Sequence, residues 1–214
     1  PLSRKLGKTD FRLLQEIYSK NEESRPIARI ADKLHPWAAL VFAGSAFPQG
    51  YSAETGADML LTNAAVNINK PRGSLESLDH VTAIFKAQPE ETMLNFLKAS
   101  IKTNKEETED VKKLHQAYSD GRFEELIPLL EETEQRTLKL VDTKYAKAMS
   151  DWLKNDLLIR RNLAWLPEIR KQSAKQSTLF AVGIAHLPSE KGLIELLRQE
   201  GYQVTPEPKV LIWQ

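Results

Sequence analysis

One histidine, one arginine with the asparagine beside it, and a few carboxylates carry most of the chemistry this sequence can offer. His186 stands three residues after Gly183 in the stretch Thr178-Leu-Phe-Ala-Val-Gly-Ile-Ala-His-Leu-Pro-Ser189. A neutral imidazole there can serve as a general base or as a metal ligand. Leu179 to Val182 is a short apolar run of β type, which predicts a buried strand closed by Gly183. Pro188 and Ser189 predict a helix start, Leu193, Ile194, Leu196 and Leu197 its apolar face, and Gly201 its stop. His186 would then occupy the turn after a strand, where open α/β sheets bind their ligands. A lone histidine in such a turn is nevertheless more often exposed or simply packed than catalytic.

Arg161 is the second candidate. Steps of four from Leu153 reach Leu157, Arg161, Trp165 and Ile169, which predicts one face of a helix over Trp152 to Ile169. A guanidinium in an apolar stripe costs free energy unless it meets a carboxylate, a phosphate or a polar pocket. Tying down a neighbouring loop would satisfy it equally well. Asn162 lies beside it. The other histidines carry less: His115 falls on a solvated face, His35 precedes Pro36 at a helix entry, and His80 near Glu76 and Asp79 reads as structural.

The elements that must position these groups are mostly helical. Thr9 predicts a cap for a helix through Phe11, Leu13, Leu14, Ile17 and Tyr18. Leu34 to Phe42 predicts a helix buried on most sides, ended by Phe47-Pro-Gln-Gly50. Ala53 to Asn67 predicts another, with Met59, Leu60, Ala64 and Val66 inward. Ser74 to Ser77 fits a brief strand carrying Glu76. Helices follow at Leu78 to Ala87 and Glu90 to Ile101, and the charged stretch Lys102 to Asp110 predicts a solvated end or link. Asp120-Gly121 marks a turn before helices at Phe123 to Leu130 and Glu134 to Met149. Gln203 to Thr205 and Lys209 to Trp213 predict short strands, the last an edge strand behind Pro206 and Pro208.

Composition narrows the classes. The chain has 214 residues, 41% hydrophobic and 28% charged, enough for one domain with a proper core. A formal net charge of +1 gives no global pull toward nucleic acid or anionic lipid. No apolar run has the length of a membrane-spanning helix. With no cysteine, disulfides and thiolate metal sites are excluded. The chain starts at Pro1 without a basic-then-apolar leader, which reads as a processed or trimmed form. Glycine-rich phosphate loops, His-Glu-x-x-His, nucleophile elbows and EF-hands are missing, and basic residues are interleaved with acids, so no nucleic-acid groove is predicted.

Three blocks resemble a known family. Gly183-Ile-Ala-His186-Leu-Pro, with Gly192-Leu-Ile-Glu-Leu-Leu-Arg and Gly201-Tyr-Gln-Val-Thr-Pro206, is similar to the C-terminal signature of the TraB/GumN family. That family includes the Tiki metalloproteases and is related more distantly to erythromycin esterase-like and haem-binding ChaN-like proteins. Arg161-Asn162 with Trp165 resembles its Arg-Asn helix motif. Gly56-Ala-Asp58, then Gly73-Ser-Leu-Glu76 and Phe85 to Leu97, resembles its segment with an Asp on a helix and a Leu-Glu strand end.

The resemblance implies a helix-rich α/β (α+β) fold: a small central sheet, a C-terminal βα unit, and a large helical insert at 89–150 within one domain spanning 1–214. It also implies a polar site of two Gly-x-x-His turns plus carboxylates. This chain holds one such turn, and the family's opening strand with the first histidine would precede Pro1. Catalytic metals normally hold three protein ligands, so one imidazole and one or two carboxylates make a weak site for Mn, Co or Zn.

The implied function is a metal-dependent hydrolase acting on a peptide or ester. His186 would be metal ligand or base, Glu76 ligand or acid/base, Arg161 a stabiliser of developing charge, and Asn162 an orienting group, with Gly183 and Asp58 in support. The alternatives are a non-catalytic protein binding haem or a small molecule, with His186 as axial ligand, and an envelope- or polysaccharide-associated protein. The resemblance points to an extracytoplasmic setting.

Overall fold

Apolar residues at helical spacing dominate the sequence, and they fold as expected into helices. The computed structural model describes residues 1–206 apart from positions 21 and 49. The chain divides into two compact units, Pro1–Trp152 and the residues from Leu153 on.

The first unit holds α1 (Leu2–Leu6), α2 (Lys8–Tyr18), α3 (Arg25–Ile30), α4 (Pro36–Gly44), α5 (Ala57–Asn67), α6 (Leu78–Lys86), α7 (Glu90–Ser119), α8 (Phe123–Leu138) and α9 (Thr143–Asp151). Its apolar core joins Leu2 and Leu6 of α1, Leu14, Ile17 and Tyr18 of α2, Ala39 of α4, and Leu97 and Ile101 of α7. The buried Tyr18 hydroxyl donates to the Ala39 carbonyl at 2.8 Å, which satisfies it without water. Gly7, not Thr9, occupies the cap position of α2, since the helix starts at Lys8, three residues before Phe11 opens its apolar pattern. His35 is the extended residue before Pro36 that opens α4, as its place in the sequence predicted.

The charged stretch Lys102 to Asp110 is no link. It lies inside α7, a single helix of 30 residues. Lysine, glutamate and the absence of Gly or Pro favour helix there, and the packing against α8 is polar. Arg136 donates to Asp110 at 2.6 Å, Thr133 donates to the same carboxylate at 3.0 Å, and the Thr103 and Thr137 hydroxyls meet at 3.3 Å. An apolar periodicity cannot reveal such an interface.

α5 reverses another expectation. Met59, Leu60, Ala64 and Val66, expected inward, are all exposed, and no residue of α5 is buried. Asp58, Thr62, Asn63 and Asn67 are spread around the helix among its apolar residues, so its pattern carries no information about which side should pack.

The second unit begins at Leu153, one residue into the π-helical turns of Trp152–Ile159, which run directly into α10 (Arg160–Ser173). After a loop with one 3₁₀ turn at Ile184–His186 comes α11 (Leu193–Gln199). Leu153, Leu157, Arg161, Trp165 and Ile169, the line of steps of four, are all buried or half-buried across the π turns and α10. The buried face of α10 is Asn162, Trp165, Leu166 and Ile169. α11 ends as its sequence predicted: Gly201 adopts φ 90°, its N–H bonds Arg198 and the Tyr202 N–H bonds Leu197, a complete Schellman closure. Its start differs. Gly192 is the cap, and Pro188 and Ser189 lie in the preceding loop.

The α/β class is the main correction. Among the described residues there is no strand, hence no central sheet and no C-terminal βα unit. Leu179 to Val182, Ser74 to Ser77 and Gln203 to Thr205 are irregular or bent, while Lys209 to Trp213 lies outside the described residues. A strand persists only where a neighbour takes up its N–H and C=O groups. A short β-type run supplies propensity but no ladder, and no described segment pairs with these. Leu179, read as a buried strand residue, is 74% exposed.

Candidate functional site

The second unit gathers three of the expected residues around one ring. Gly183 opens a tight turn in which the His186 N–H donates to the Gly183 carbonyl at 2.9 Å. Gly183 has φ −58°, which any residue adopts, and a Cβ there would meet His186 only at 3.8 Å. The glycine is thus a tolerated corner here, whereas the turn itself sets the ring inward: His186 is 6% exposed.

Asn162 is the hub. It is 2% exposed on the inner face of α10. Its amide nitrogen donates to the Lys191 carbonyl at 2.9 Å and to the His186 carbonyl at 3.3 Å. Two carbonyl partners fix the nitrogen's side of the amide, so the oxygen faces the other way. That oxygen lies 2.7 Å from His186 Nδ1. An amide oxygen only accepts, so Nδ1 carries the hydrogen of the neutral ring and Nε2 keeps a lone pair. The orientation of one asparagine therefore selects the histidine tautomer.

Arg161 faces that lone pair. Its Nη1 donates to the Leu157 carbonyl one turn back at 2.9 Å and lies 3.4 Å from His186 Nε2. Trp165, one turn further along α10, stacks against both: its ring centroid is 4.5 Å from the His186 ring and 5.0 Å from Arg161 Cζ.

The loop between His186 and α11 is built around the same clamp. Gly192 has no room for a side chain, since a Cβ would lie 1.9 Å from the Pro188 carbonyl oxygen. Ser189 adopts φ 81°, a left-handed conformation costly for a residue with a Cβ. The loop and α11 frame an open groove of about 550 Å³ whose lining includes Leu187, Ser189, Lys191, Ile194 and Arg198.

Glu76 and Asp58 belong to the first unit. Glu76 is half-buried in the bend before α6, and Asp58 is exposed in the first turn of α5. His35 lies 3.4 Å from Glu90, His115 meets the Tyr51 ring edge-on at 5.2 Å, and His80 is exposed.

The donor set tests poorly for a metal. Among the described residues no group of three or more His, Asp or Glu side chains is placed to hold one. His186 supplies a single nitrogen with a guanidinium beside it, where a catalytic metal needs about three protein ligands. Sequence reasoning passed over Gly192 and Trp165 as site residues. Only the Gly192 and Trp165 positions inside the two motifs hinted at them.

Comparison with known proteins gives one match: the model of the TraB/PrgY/gumN family covers residues 1–206. No curated protein and no solved structure matches the chain. Among the described residues, no helix is long and apolar enough to cross a membrane.

Proposed function

The chain belongs to the TraB/PrgY/gumN family, and on that premise we propose that the cluster on α10 and the His186 turn does the acid–base work of a hydrolase acting on a peptide or ester carbonyl. One observation carries this reading. Asn162 holds Nδ1–H and leaves Nε2 with its lone pair, the arrangement that a positioned general base requires.

In the proposed reaction, Nε2 takes a proton from water as the water oxygen bonds to the carbonyl carbon. The electron pair of the C=O bond moves onto its oxygen, where Arg161 donates to the developing charge. The pair then reforms the carbonyl, the bond to the amine or alcohol breaks, and the imidazolium returns its proton to that leaving group. Asn162 keeps the ring in one orientation through both transfers. Leu157 holds the guanidinium by its carbonyl until the substrate oxygen competes for it. No step is routed through a metal.

The test is turnover of a panel of peptides and activated esters by the wild type, with and without Mn²⁺, Co²⁺ or Zn²⁺. His186→Ala is expected to lose on the order of 10²–10⁴ in rate, and Arg161→Ala on the order of 10²–10³. Turnover that survives both substitutions would overturn the reading. A Soret band formed on adding haem and lost in His186→Ala, without turnover by the wild type, would replace it with ligand binding.

A further inference from the structure

We propose that Trp165 is the positioning residue of this cluster, the surface against which the His186 ring and the Arg161 guanidinium are set. The inference rests on the acid–base reading for its purpose, though its geometry stands apart from any reaction. Trp165 is 4% exposed and one helical turn from Arg161. Its indole touches both partners at once: the His186 ring at 4.5 Å centroid to centroid with a 44° tilt, and Arg161 Cζ at 5.0 Å from the ring centre. Aromatic rings prefer such tilted or offset contacts, and a guanidinium is drawn to the electron-rich indole.

The polar end of the side chain points to the same conclusion. Trp165 Nε1 is buried with no hydrogen-bond partner. An unpaired buried N–H costs free energy, so the hydrogen bond is not what this indole contributes. The broad ring is. Asn162 fixes which nitrogen of His186 is protonated, and Trp165, packed against the ring and the guanidinium, sets the tilt of the one and keeps the other on the Nε2 side. Two neighbours on one helix, at positions 162 and 165, thus divide the work between tautomer and orientation.

The separating experiment uses two variants of the full chain, Trp165→Phe and Trp165→Leu, each checked for its fold by circular dichroism. Phe keeps a ring and removes the unpaired N–H; Leu fills much of the space with no ring. The readouts, taken at one pH where the imidazole is neutral, are the side-chain ¹⁵N resonances of His186 and the rate at which phenylglyoxal modifies Arg161, scored against Arg170 as internal reference. The wild type and the Phe variant are expected to show His186 as a single Nδ1–H tautomer with sharp lines and similar Arg161 rates, within about twofold. The Leu variant is expected to broaden or split the His186 resonances and to raise the Arg161 rate at least fivefold.

If Leu and Phe give the same spectra and rates, Trp165 only fills space and the proposal is refuted. Should Leu not fold, Trp165→Met takes its place, and should that also fail, the wild type decides. There, an Arg161 as reactive as Arg170, or a His186 averaging between tautomers, overturns it. None of these readouts needs a substrate, so absence of hydrolysis would count against the proposed reaction and leave this assignment untouched.

Discussion

Replacing Asn162 by alanine should destabilise the second unit substantially. The substitution removes three hydrogen bonds, of 2.7, 2.9 and 3.3 Å. Taking about 1 kcal/mol net for each of the two short bonds and little for the long one gives roughly 2 kcal/mol. The His186 Nδ1–H is then buried without an acceptor, which adds about 1–2 kcal/mol. Some of that is recovered if the ring turns or water enters, so the expected loss is about 2–4 kcal/mol. The assay is urea unfolding followed through tryptophan fluorescence, paired with ¹⁵N spectra of His186. Asn162→Asp separates acceptor from donor. It keeps an oxygen for Nδ1–H but sets the other against the carbonyls of His186 and Lys191, so it should be destabilised while its tautomer survives. An Asn162→Ala protein within about 0.5 kcal/mol of the wild type, its histidine still a pure Nδ1–H tautomer, would refute the hub.

Other expectations follow from the same structure. Gly192→Ala should cost at least about 2 kcal/mol, since the carbonyl at 1.9 Å is backbone and must move; thermal unfolding and proteolysis near residue 190 will show it. Leu60→Ser should change stability by less than about 0.5 kcal/mol, because Leu60 is 57% exposed; a loss of 2 kcal/mol or more would place α5 back in a core. Glu107 is held above the ordinary carboxylate value of 4.5 by burial, which outweighs the Thr103 and Thr137 hydroxyls that bond it. A raised carboxyl binds more protons folded than unfolded, so its ionisation subtracts stability as pH rises from about 4.5 toward the folded value. Glu107→Gln should therefore be relatively more stable at pH 7 than at pH 4 when urea midpoints are compared with the wild type, and an unchanged difference would contradict the burial.

How much of this was legible beforehand varies with the range of the cause. Local causes read well: Pro36 after an extended His35, the turn at Asp120-Gly121, and Gly201 closing α11 are each set by backbone preferences within a few residues. The strands did not, because Leu179 to Val182 announces only what its residues tolerate, and pairing depends on a neighbour that the run does not encode. α7 was cut short for a related reason: Thr103 and Asp110 are buried through hydrogen bonds to α8, and polar burial leaves no apolar stripe. At the site, His186 and Arg161 were visible by type and setting. The rank of Asn162 was not. Its three partners lie 24 and 29 residues away in sequence, on a loop whose path only the fold supplies.

The long helix α7 has a thermal consequence. The stretch before Thr103 buries Met93, Leu97 and Ile101, whereas from Thr103 to Asp110 the helix is joined to α8 by hydrogen bonds. Exposing apolar area raises heat capacity by about 0.45 cal/K/mol per Å², and exposing polar area lowers it by about 0.26. The two stretches of one rod thus respond oppositely to cooling. Near freezing, the grip of the apolar stretch weakens while the hydrogen-bonded stretch holds, so cold should loosen α1, α2 and α4 from α7 before it parts α7 from α8.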